Sequence, residues 1–185
     1  MLNGTSSAGK TTLARHLRDR FTDAGECWIV IGIDDIFQRV PLVWFAIGDH
    51  VGARAEEGLV FERVGDTIER RVGPVGRQMM AAYRGAVGGV ARSGLNVIVD
   101  EVLLSEEDWL GWQTELRGLE TLWVGVHLEL AEVEARELAR EDRIIGMARA
   151  QYDVVHRYPA YDLHVNTGAL DPAAAADAVL AAVRG

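Results

Sequence analysis

The chain has 185 residues, 49% of them hydrophobic and 25% charged, which suits one domain with its own core. A formal net charge of −9 argues against a nucleic-acid partner, which needs a basic face, but leaves room for a small anion at a local positive site. Cys27 is the only cysteine, which excludes an internal disulfide and a thiolate metal cluster and makes a reducing cytoplasm the expected setting.

In chain order, Met1-Leu2-Asn3 carries no leader pattern, and no later apolar run approaches membrane-spanning length, so no membrane partner is expected. These residues run into Gly4-Thr5-Ser6-Ser7-Ala8-Gly9-Lys10-Thr11, a glycine-bounded loop with P-loop spacing. A strand ordinarily has about five or six residues, so the first strand, reduced to a stub before Gly4, reads as truncated. An amphipathic helix is predicted from Lys10 to about residue 22. Short, unbroken apolar runs rich in β-branched residues predict buried strands at 27–31, 96–99, 122–126 and 163–165. Between them, helical patterns fall at 75–91, 105–116 and about 131–140. Ser105-Glu106-Glu107-Asp108 resembles a capping box, and Asp171-Pro172 pairs an N-cap with a first-turn proline to start the last helix.

Strands alternating with helices predict an α/β fold with a parallel sheet, one domain over 1–185 without internal repeats. Two stretches break the alternation. Residues 35–73, mixed and glycine-rich, are expected to hold a short helix and a small hairpin and to act as a variable substrate-binding insertion. Residues 136–149 are dense in arginine and read as a lid.

The loop is the first place where chemistry is expected. Its glycines let the backbone approach phosphate closely, and the following helix N-terminus adds partial positive charge. Gly4, Thr5, Ser6, Ser7, Ala8, Gly9, Lys10, Thr11 and Thr12 form the expected nucleotide-binding set. Lys10 would reach the β- and γ-phosphates, and the Thr11 hydroxyl would ligate Mg²⁺. Of 19 basic side chains 18 are arginine, so the one lysine falls inside the loop, where a compact ammonium on a flexible stem is useful.

Two carboxylates follow predicted strands, at the sheet edge where ligands of parallel α/β proteins bind. Asp34 suits a general base for an attacking hydroxyl; the alternative is a helix cap, a role for which Asp35 is the better candidate. Asp100 suits a magnesium ligand, directly or through water, or a strand-end cap. Arg136, Arg140 and Arg143 are spaced to share one helical face and could neutralise charge on a transferring phosphoryl group. The interleaved acids Glu132, Glu134, Glu137, Glu141 and Asp142 equally suit a solvated, salt-bridged helix. His127 and His156 read as structural or substrate-contacting, and no histidine has metal-ligand spacing, which argues against a transition-metal site. Trp44, Phe45 and Phe61 could line an apolar pocket or simply pack in the core.

Taken together, these motifs resemble the chloramphenicol phosphotransferase family of small P-loop kinases. The similarity is carried by Leu2-Asn3-Gly4 with Ser6-Ser7-Ala8-Gly9-Lys10, by Gly32-Ile33-Asp34, by Pro41-Leu42 and by Val97-Ile98-Val99-Asp100-Glu101-Val102. It continues through Leu122-Trp123-Val124-Gly125-Val126, Arg136-Glu137, Arg140-Glu141-Asp142-Arg143, Gly146-Met147-Ala148, Val154-Val155-His156 and Tyr161-Asp162. The resemblance implies a P-loop kinase-like three-layer fold with a five-stranded parallel sheet. It implies transfer of the ATP γ-phosphate to a primary hydroxyl of chloramphenicol, with Asp34 as the catalytic aspartate and 136–143 as the lid. It also implies a first strand that begins several residues earlier, so the sequence reads as clipped. Residues 44–73 depart from the family pattern, which weakens the carry-over of the acceptor. The expectation is therefore an enzyme using ATP and Mg²⁺ on a small hydroxylated acceptor, and a homo-oligomer is compatible with it. A gluconate- or nucleoside-type metabolite kinase and a non-catalytic nucleotide-binding regulator are the alternatives.

Overall fold

The computed structural model describes residues 1–65, 67–140 and 144–185. Its centre is a five-stranded parallel sheet built from β1 (Leu2–Asn3), β2 (Trp28–Gly32), β7 (Asn96–Glu101), β8 (Val124–His127) and β9 (Leu163–Asn166), in the order β2-β7-β1-β8-β9. The two-residue β1 is the middle strand, with Leu2 opposite Asp100 on one side and Val124 on the other. Its position puts the loop that follows it at the centre of the sheet edge.

Alternation along the strands divides the core in two. Leu2, Ile98, Val124, Val126 and Val165 face α1 (Lys10–Asp23) and α7 (Pro172–Arg184), meeting Leu13, Leu17, Phe21 and Val179. Val97 and Val99 face the opposite way, toward α3 (Pro74–Arg92) and α4 (Glu106–Glu115), where Tyr83, Val87 and Trp112 are buried. Burying one such large side chain stabilises the fold by about 1.5–3 kcal/mol. The two helical layers therefore sandwich the sheet, as the apolar strand runs predict.

Both expected N-caps form, although the return arm of the capping box does not, since Asp108 Oδ2 accepts from the Leu104 amide at 3.3 Å. The Ser105 hydroxyl accepts from the Asp108 amide at 3.1 Å, and the Asp171 carboxylate accepts from the Ala174 amide at 2.8 Å. The insertion differs from the expected short helix and small hairpin. The short helix, α2 (Ile33–Phe37), starts directly at the end of β2, ahead of residue 35. Instead of a hairpin alone, β3 (Phe45–Ile47), β4 (His50–Val51), β5 (Leu59–Val64) and β6 (Thr67–Val72) make a second, mixed sheet in the order β4-β3-β5-β6. The strands of two and three residues are too short for alternation to be read, and the β3–β5 pairing is parallel and non-local. Phe45 is buried edge-on to Phe37, at 5.6 Å between ring centres, while the Arg54 guanidinium covers Trp44 at 4.2 Å. A largely buried ion pair, Arg70 Nη2 to Asp108 Oδ2 at 2.6 Å, ties β6 to the start of α4. No described helix is long and apolar enough to cross a membrane.

Candidate phosphate-transfer site

The loop between β1 and α1 is shaped by close approach and by unusual backbone angles. A Cβ on Gly4 would stand 2.3 Å from the Val126 carbonyl oxygen, so only glycine lets the loop leave the sheet there. Gly9, at φ 91°, turns the chain into α1. Ser7 holds φ 62° without being glycine, a conformation that costs on the order of 1–3 kcal/mol and persists only where the surroundings enforce it. The surroundings are visible: the Ala8 carbonyl accepts from Thr167 Oγ1 at 2.7 Å, and the Ser6 amide donates to Gln151 Oε1 at 2.7 Å. Ser7 Oγ is buried and has no hydrogen-bond partner among the described residues. Such an orphan costs about 1–3 kcal/mol, and a phosphate oxygen in the loop, met by a small rotation of the hydroxyl, would satisfy it.

At the loop's end three side chains converge. Lys10 is 6% exposed, and its ammonium donates to the Thr5 carbonyl at 2.8 Å and lies 3.9 Å from Asp100 Oδ1. The other oxygen of Asp100 accepts from Thr11 Oγ1 at 2.5 Å. One carboxylate thus faces both the ammonium and the hydroxyl. That sparse set of one carboxylate and one hydroxyl is what Mg²⁺ uses when phosphates and water fill the rest of its octahedron. Among the described residues no group of three His, Cys, Asp or Glu side chains could hold a metal by itself.

The acidic edge continues along β2 and β7. Gly32 pairs with Asp100 across the strands, and Asp34 lies two residues further on, exposed in the first turn of α2. Asp35 takes the capping role, its Oδ2 accepting from the Gly32 amide at 2.7 Å. Behind Asp100 sits Glu101, 2% exposed, which accepts from the Val102 amide at 2.8 Å and from Trp112 Nε1 at 3.0 Å. Burial pushes its carboxyl up to about 7 against those two hydrogen bonds.

The arginines are distributed differently from the expectation of one shared helical face. Helix α5 (Leu130–Leu138) ends before Arg140, and Arg143 lies outside the described residues. Arg136 alone is on α5; its guanidinium donates to the Thr167 carbonyl at 3.2 Å and would stand 3.6 Å from a Cβ on Gly9. Arg136 is thereby at the loop, with Glu132 3.9 Å away. Arg149, on α6 (Met147–Tyr152), pairs with Glu134 at 2.6 Å. The buried Glu137 carboxylate accepts from the Gly146 amide at 2.7 Å and the Ala148 amide at 2.8 Å, which anchors the start of α6.

His127 and His156 meet in a cluster with His164. His127 Nε2 is 2.8 Å from His164 Nδ1, and the His127 and His156 rings stack at 4.1 Å. Burial, then the neighbouring His127 and His164, then Lys10 lower His156 to about 4. The Tyr161 hydroxyl lies 2.8 Å from His156 Nδ1 and accepts from Asn3 Nδ2 at 2.6 Å, so the cluster is joined to the strand beneath the loop. Gln151, Thr167 and Glu137 were not singled out for these roles by sequence reasoning. Each bonds backbone at least nine residues away in the chain, which no local spacing reveals.

The family described as chloramphenicol phosphotransferase-like protein matches residues 1–184. A Mycobacterium tuberculosis protein named "Putative O-phosphotransferase Rv2636" is 33% identical over 183 residues, covering 91% of this chain and 74% of that protein. Among solved structures, the APS kinase CysC of Mycobacterium tuberculosis in complex with AMPPNP and APS superposes with a TM-score of 0.69 at 15% identity, over 100% of this chain and 95% of that one. The tunicamycin resistance protein of Deinococcus radiodurans gives a TM-score of 0.64 at 17% identity, over 98% and 92% of the two chains. These two likenesses establish a shared fold.

Proposed function

Because the chain belongs to the chloramphenicol phosphotransferase-like family, we propose that it is an ATP- and Mg²⁺-dependent O-phosphotransferase acting on a hydroxyl of a small molecule, with a chloramphenicol-like antibiotic as the first candidate acceptor. The observation that carries the reading is the convergence of Lys10, Thr11 and Asp100 at the mouth of the loop. Loop and helix-terminal amides with Lys10 would hold the triphosphate, and Thr11 and Asp100 would hold Mg²⁺, which supplies charge neutralisation at the phosphates when bound. Thr5 to Gly9 wrap the phosphates, and Thr12 extends the first turn of α1.

Asp34 is the general base in this reading. It takes the proton of the acceptor hydroxyl as that oxygen bonds to the γ-phosphorus, the bond from the γ-phosphorus to the bridging oxygen breaks, and ADP leaves. Arg136, with Arg140 and Arg143 from the same segment, balances charge on the transferring group. Residues 136–149 serve as the lid, and the second sheet with α2 forms the acceptor-binding insertion. Support for the insertion comes from its position: α2 begins where β2 reaches Asp100, and β6 is tied to α4.

The test is acceptor-dependent ADP release from ATP and Mg²⁺ over chloramphenicol, other hydroxylated antibiotics and common sugars and nucleosides. At least one hydroxylated acceptor should stimulate release well above the water background. ATP binding without stimulation by any of them would favour a non-catalytic regulator.

A further inference from the structure

The short helix α6 touches the phosphate loop at a point that none of the expected roles explains. Gln151 is 7% exposed, and its Oε1 accepts from the backbone amide of Ser6, 145 residues earlier in the chain, at 2.7 Å. The next residue, Ser7, holds the left-handed φ of 62°. A second contact from the same segment falls on the other side of Gly4 and Thr5. Asn3 Nδ2 donates to the Val155 carbonyl at 2.7 Å and to the Tyr161 hydroxyl. The brace therefore holds the chain at positions 3 and 6, on either side of Gly4 and Thr5.

The brace is itself anchored. The buried Glu137 carboxylate holds the amides of Gly146 and Ala148 at the start of α6, and Ala148 packs in the main core beside Val133. Gln151 thus reaches the loop from a fixed support. The Ser6 amide is committed to Gln151, while the N-terminus of α1, which Gly9 leaves without a side-chain cap, follows directly behind the loop.

We propose that Gln151 is a positioning residue for the phosphate loop: its acceptor oxygen fixes the Thr5–Ser6 peptide and so holds Ser7 in the strained conformation that shapes the cradle before nucleotide arrives. Preorganisation of this kind raises affinity by removing the cost of ordering at the moment of binding. Its consequence for nucleotide rests on the reading of the loop as an ATP site, whereas the contact itself does not.

Gln151→Met keeps length and packing and removes the acceptor. On the full chain, ATP affinity in the presence of Mg²⁺ is measured by calorimetry, and exchange of the Ser6 amide by NMR. Loss of one such hydrogen bond should weaken ATP binding roughly three- to thirtyfold and speed Ser6 exchange by at least a similar factor. Gln151→Glu, which retains an acceptor oxygen, should restore Ser6 protection. Val179→Ala, a core truncation on α7 that leaves the bond, should lower the thermal midpoint and keep ATP affinity within about twofold. If Gln151→Met does not fold, Gln151→Asn, one methylene too short to reach, takes its place. Unchanged Ser6 exchange, or ATP affinity of the acceptor-free variant within twofold of the parent, overturns the proposal. A parent chain that binds no ATP overturns the nucleotide reading instead, and Ser6 exchange then still decides whether Gln151 holds the loop.

Discussion

Lys10 shows how one side chain can be set apart by both chemistry and surroundings. In a chain that otherwise uses arginine, this ammonium is almost fully enclosed, held by the Thr5 carbonyl and within 3.9 Å of Asp100. An arginine's planar fork would not fold back into so small a space. One residue behind Asp100, Glu101 creates a pH dependence of stability with a defined sign. Its carboxyl is raised from 4.5 to about 7 by burial, so below pH 4.5 both folded and unfolded chains carry the proton and no cost arises. As pH rises through 4.5 to 7 the unfolded chain releases its proton while the folded one keeps it, and the stability contribution is lost. Glu101→Gln, neutral throughout, should therefore gain on the parent between pH 5 and pH 8 in urea denaturation. A difference between the two that does not change over that range would contradict the assignment.

At the scale of elements, caps decide where helices begin, and several were legible from residue type alone. Ser105 and Asp171 sit where a capping side chain must sit, and both bond the expected amide. Ser105→Ala should cost about 1 kcal/mol in equilibrium unfolding, and a change indistinguishable from zero would mean that the Arg70–Asp108 pair alone fixes the start of α4. The arginine segment was less legible. Spacings of four and three read as one helix, but α5 ends at Leu138, and the Glu137 carboxylate holds the amides of Gly146 and Ala148 at the start of a separate helix, which no periodicity reveals. The second sheet escaped for a related reason. Its pairings, Phe45 with Leu59 and Leu59 with Val72, join runs too short or too mixed to show a period of two.

For the whole molecule, strand order accounts for why distant motifs form one site. Placing β1 between β7 and β8 brings the loop beside Asp100, and pairing β2 with β7 brings Asp34 to the same edge. Apolar strands and the glycine loop made that edge readable in the sequence, and the candidate phosphate and base residues with it. The brace from α6 and the histidine cluster were not readable, because both depend on contacts between chain segments far apart. We propose that this edge transfers a phosphoryl group, with Asp34 as base. The measurement that tests it most directly compares the parent and Asp34→Asn for acceptor-dependent ADP release, using the acceptor that stimulates the parent most, alongside ATP affinity. Asp34→Asn should lose turnover by roughly a hundredfold or more with ATP affinity nearly unchanged. Turnover close to that of the parent would contradict it.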